Sequence, residues 1–128
     1  MIGRTLLIAV LALAAGEAVA AQSAQLADPQ ATVDARLVHL RGLDTLAGRA
    51  VDIDLAVGET VRFGRLEIVA EACRVPRDDA AADAFAFLSI RDVREETPRF
   101  SGWMFASSPA LSALDHPRYD VWVVGCDG

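Results

Sequence analysis

The sequence predicts an all-β fold: a small antiparallel β-sandwich or barrel of about seven strands, with one short helical turn at about residues 108–115. Three observations carry this. Ala50-Val51-Asp52-Ile53-Asp54-Leu55 alternates strictly, with Val51, Ile53 and Leu55 on one face and the acids on the other, the mark of a half-buried antiparallel strand. Other short apolar runs are punctuated by glycine, proline and aspartate at short intervals. Nowhere does an amphipathic period persist over three helical turns.

The first residues stand apart from the fold. Arg4, the apolar run Leu6–Ala15 and Ala18-Val19-Ala20 fit a secretory signal peptide, residues 1–20, cut after Ala20 or one residue later. A spanning helix needs roughly 20 apolar residues, and Glu17 ends this run first. No cysteine lies at the cut, so no lipoprotein attachment is expected. Residues 21–34, polar and alanine-rich with Pro29, read as a flexible lead-in, and residues 35–128 as a single β-domain. The expected mature protein is soluble and periplasmic, with no membrane span.

Charge excludes some partners. Acidic residues number 18 against 12 basic ones, all arginine, for a net charge of −6. With no basic stripe to neutralise phosphates, nucleic acids and anionic membrane surfaces are poor partners.

In chain order, Leu37–Leu40 forms a first strand that Gly42 stops, and His39 on it reads as a cross-strand packing residue. Val57–Thr60 is a turn, Val61–Phe63 a short strand, and Gly64 breaks it. In the next strand Leu66, Ile68, Ala70 and Ala72 share one face, which puts Cys73 on the more polar one. Either a bulge shifts that parity or the disulfide forms at the sheet margin; the margin is favoured because Cys126 is third from the end. Val75–Asp83 is a loop whose Asp78, Asp79 and Asp83 lack the spacing and glycine of a calcium loop. A strand from Phe85 to Ile90 and a charged loop from Arg91 to Pro98 follow.

The stretch from Phe100 to Cys126 organises the rest, since it holds both tryptophans, the tyrosine, one histidine and one cysteine. Phe100–Phe105 is a strand. Ser108 suits a helix N-cap, Pro109 the first helical position, and Leu111 and Leu114 are spaced to face the sheet. Arg118–Cys126 is the last strand. Trp103, Phe105 and Trp122 are expected in the core, at roughly 1.5–3 kcal/mol per buried side chain. Cys73 and Cys126 are expected to form a disulfide in an oxidising compartment. No metal site and no cofactor is expected.

The run SGWMFASSPALSALDHPRYDVWVVGC, with GETVRFGRLEI and the following Cys73, resembles a family of uncharacterised exported proteins of alphaproteobacteria, the domain of unknown function 2155. The resemblance covers about Arg36 to Cys126 and implies a small exported domain. It brings no activity, cofactor or catalytic residue.

The favoured function is a non-catalytic binding or accessory module of the cell envelope, with another envelope protein or an envelope glycan as partner. Its candidate surface is Ser107, Ser108, His116, Arg118 and Tyr119, where hydroxyls and free amides at a helix start suit an anionic group. Two alternatives stand beside it. One is a small hydrolase using Ser107 or Ser108 with His116 and Asp115 or Asp120, although no Gly-x-Ser-x-Gly elbow is present. The other is an inhibitor of a periplasmic hydrolase, steered to a basic target by the negative charge.

Overall fold

The computed structural model describes residues 31–128; the signal peptide and most of the lead-in expected from the sequence lie outside the described residues. Eight strands run in order: β1 (Thr32–Ala35), β2 (Leu37–Asp44), β3 (Arg49–Ala56), β4 (Thr60–Phe63), β5 (Leu66–Pro76), β6 (Phe85–Asp92), β7 (Phe100–Phe105) and β8 (Tyr119–Asp127). They form two antiparallel sheets. In the larger, β5 pairs with β1, β4 and β6, and β6 pairs with β7; in the smaller the order is β3-β2-β8. The all-β reading holds, and the two sheets form an open sandwich rather than a closed barrel. The extra strand is β1, which begins inside the stretch expected as lead-in and pairs Ala35 with Cys73. Among the described residues no helix is long and apolar enough to cross a membrane.

Alternation sets the core. Leu40, Leu55, Val121 and Val123 point inward from the smaller sheet, and Leu66, Ile68, Leu88, Ile90 and Met104 from the larger. Gly42 does not stop β2, which continues to Asp44. A Cβ there would lie 2.9 Å from the Phe63 ring, so the missing side chain is what lets that ring pack against the strand. Gly64, in the turn between β4 and β5, has φ +55°, and a Cβ on it would collide with the Tyr119 ring.

The disulfide links Cys73 to Cys126, and so β5 of one sheet to β8 of the other. It does not sit at the margin as expected, because Cys73 is 1% exposed. Two bulges bring the cysteines inward. The register of β5 against β6 skips Glu71, which turns Cys73 to the core face. The register of β8 against β2 skips Val124, which does the same for Cys126 and leaves Val124 exposed. Each bulge lies two residues before its cysteine, so one extra residue per strand flips the parity at both sulfurs. Closing a loop of 53 residues stabilises the fold by about 4 kcal/mol on the chain-entropy account.

The three aromatic residues expected in the core are not there. Trp103 is 38% exposed, and Phe105 and Trp122 are half-buried on outer faces. On β7 the inward position goes to Met104 instead. The outer face of β6–β7 carries Phe87 against Trp103 and Phe85 against Phe105, edge to face, with centroids 5.4 and 5.8 Å apart.

Candidate functional site

Residues 106–118 form a strap that joins β7 in one sheet to β8 in the other. The amide of Ser108 donates to the Phe105 carbonyl at one end, and Arg99 Nη1 donates to the Asp115 carbonyl at the other. The strap therefore runs back along β7, whose other side is paired with β6. From Phe100 to Leu114 no residue carries a charge. An edge strand without charges of its own is normally shielded by a covering loop, and the strap fills that role.

The helical turn is shorter than expected, a 3-10 turn of Pro109–Leu111. Ser108 makes no side-chain cap. Of the two leucines expected to face the sheet only Leu114 does; Leu111 is 77% exposed. A three-residue turn does not sustain the helical spacing that would have brought both leucines to one side. Ser107 is tied to the neighbouring loop: its hydroxyl and its amide donate to the two oxygens of Asp83, at 2.6 and 2.9 Å. Burial pushes the Asp83 carboxyl up, but these bonds and the Ala84 amide outweigh it and hold it below its usual range.

The strap's far end enters a buried polar cluster. The His116 side chain is 1% exposed. Its Nε2 lies 3.0 Å from Asp92, and its Nδ1 accepts from the amides of Arg118 and Tyr119 at 3.0 and 3.2 Å. Those two amide donors assign the proton to Nε2, which donates to Asp92. Asp92 also accepts from the Arg94 amide and faces Arg65 at 3.5 Å. The Arg94 amide first, then His116, hold its carboxyl well below the usual range. Arg118 closes the cluster with a two-pronged bond to Asp44 at 3.0 and 2.9 Å, and its guanidinium lies 5.1 Å from the Tyr119 ring centre. The Arg118 guanidinium is the first cause that lowers the Asp44 carboxyl to about 2.

The five residues expected to share one surface thus separate. His116, Arg118 and Tyr119 belong to the buried cluster, and Tyr119 is itself buried. Ser107 is bonded to Asp83, away from them, and Ser108 lies in the strap. Neither ring nitrogen of His116 faces a serine, because both have other partners. The other histidine, His39, shares a pocket of about 340 Å³ with Ser107. Its Nδ1 is 2.6 Å from Asp54 and its Nε2 2.8 Å from Asp127, so it too has both nitrogens occupied, although on the surface rather than in packing. The Asp54 bond first, then Asp127, raise its pKa above the ordinary 6.5.

What the sequence reading missed is the exposed side of the strap. Pro109, Ala110 and Ala113 line a pocket of about 310 Å³ with Asp120, Val121 and Trp122 of β8. The signal was available as the uncharged run from Phe100 to Leu114 in a chain that is 23% charged.

These features define a class: a small β-sandwich, tied sheet to sheet by one disulfide, whose edge strap presents uncharged apolar residues to solvent. The chain belongs to the family described as an uncharacterized protein conserved in bacteria, DUF2155, which it matches over residues 38–126. It is also similar to an uncharacterized protein of Rickettsia prowazekii (strain Madrid E), 30% identical over 87 residues, or 66% of this chain. That match spans 56% of the relative's length. No solved structure matches the chain.

Proposed function

We propose that this protein is an exported, non-catalytic binding module of the cell envelope that docks another protein through the strap and the adjoining side of β8. The observation that carries this is Leu111, 77% exposed in the uncharged part of the strap, while the core closes over other residues. Stability gives no reason to keep such a side chain in water. Uncharged, aromatic-flanked surface is the compositional mark of an interface centre. The disulfide and the residues read as a signal peptide support an oxidising compartment.

The test uses a control that the fold supplies. Leu46, in the β2–β3 turn, is 78% exposed, matching Leu111 in exposure but not in surroundings. A photoreactive side chain placed at Leu111 should give one discrete protein adduct in the producing cells, and the same group at Leu46 should not. Equal adduct patterns from both positions, or none from Leu111, would overturn the reading.

A further inference from the structure

The pocket between strap and β8 has an unusual wall. Pro109, Ala110 and Ala113 form an apolar side, the Trp122 indole another, and the Asp120 carboxylate stands on the same strand face as the indole. Asp120 is exposed, and among the described residues its carboxylate has no ion-pair or hydrogen-bond partner. Two neighbouring cations are engaged elsewhere: Arg41, opposite Trp122 on β2, is turned to Asp52 at 3.1 Å, and Arg118, two residues before Asp120, holds Asp44 at 2.9 Å. An aromatic ring beside a free carboxylate, with an apolar shelf in front, matches one type of side chain. Its stem must be apolar, its end cationic, and its charged group flat enough to lie on the indole. A guanidinium meets all three requirements, since it stacks on aromatic faces and forks onto carboxylates.

We infer that this pocket receives an arginine side chain of the docked partner, with the stem on the Pro109–Ala113 shelf, the guanidinium over Trp122 and an ion pair to Asp120. The inference rests on the docking reading above and adds the chemistry of the contact. The net charge of −6 favours approach of a basic partner.

The probe is a short neutral-backbone peptide with one arginine, titrated into the protein while the two indole N–H signals are followed by NMR. An identical peptide with citrulline keeps the shape and removes the charge. The arginine peptide should shift the Trp122 signal saturably and leave Trp103 unmoved, and the citrulline peptide should shift neither. Asp120→Asn should weaken the arginine response roughly fivefold, with the rest of the spectrum unchanged. Equal responses to both peptides, no Trp122 response at tens of millimolar, or an unaffected Asp120→Asn variant would each overturn the inference. If the Leu111 adduct persists in that case, docking stands and only the arginine pocket falls; if both fail, the binding reading falls with it.

Discussion

The buried cluster around His116 and the exposed strap before it invert the usual arrangement. At one end an imidazole, a carboxylate and a phenol are sealed from water; a few residues earlier a leucine and a tryptophan are left in it. His116, Tyr119, Leu111 and Trp103 all lie between residues 100 and 119, with Asp92 joining them from the end of β6, and the contrast divides the labour of that segment. Buried polar groups persist only when their hydrogen bonds are met, and here His116 meets both of its own with Asp92 and two backbone amides. That end holds. Leu111, 77% exposed, adds little to stability, and under the proposed docking role the strap is the end that presents. Leu114, buried, is the peg between the two.

The sharpest way to break this division is at the holding end. In His116→Ala the amides of Arg118 and Tyr119 lose their acceptor and Asp92 loses a donor. Two orphaned amides should cost about 3 kcal/mol together, at roughly 1–3 kcal/mol for each buried donor. In a domain of this size that lowers Tm by roughly 10–20 °C. Urea unfolding of the variant measures the cost. A loss under about 0.5 kcal/mol, the range of surface changes, would show that the cluster holds nothing.

A smaller effect is expected on the presenting side. Trp103→Ala removes a ring that is 38% exposed and touches Phe87 edge to face. It should cost about 1 kcal/mol, the worth of one aromatic pair. Leu88→Ala, at a fully buried position on β6, should cost about 2–5 kcal/mol. If the two variants unfold at the same urea concentration, Trp103 is a core residue after all and the contrast collapses.

Much of the sandwich was legible in the chain. The alternation of Ala50–Leu55 appears as β3, Arg49–Ala56, paired along its length with β2. The exceptions share a physical cause, because each depends on a partner distant in sequence. Whether Cys73 faces in or out turns on Glu71 being skipped in the register with β6, and the strand's own residues do not announce that. The inward claim of Trp103 over Met104 was undecidable from β7, where large apolar groups alternate on both faces. His116 became structural through Asp92, 24 residues upstream, at the end of β6. Hydroxyls and a histidine near a helix start suggested one polar surface, which the structure divides between Asp83 and the buried cluster. The docking surface proposed above follows the uncharged run around them instead.

The smallest expected effect sets the two histidines against each other through pH. The carboxylates of the holding end have lowered pKa values: Asp44 at about 2, beside Arg118, and Asp92 lower than usual. Their stabilisation is present above the ordinary carboxylate range near 4 and is lost as pH falls through the folded values. His39 runs the other way. Its folded pKa is raised, so its contribution is complete below about 6.5 and is lost as pH climbs through the folded value. A neutral imidazole has one N–H and can donate to only one of Asp54 and Asp127. Both acids are well exposed, so this alkaline loss should stay under about 1 kcal/mol. Urea midpoints measured from acid to pH 9 should therefore show a steep acid limb and a shallow alkaline one. His39→Asn should flatten the alkaline limb and leave the acid limb untouched. If it changes the acid limb instead, the surface histidine is coupled to the buried cluster, and the molecule does not divide where the contrast places the line.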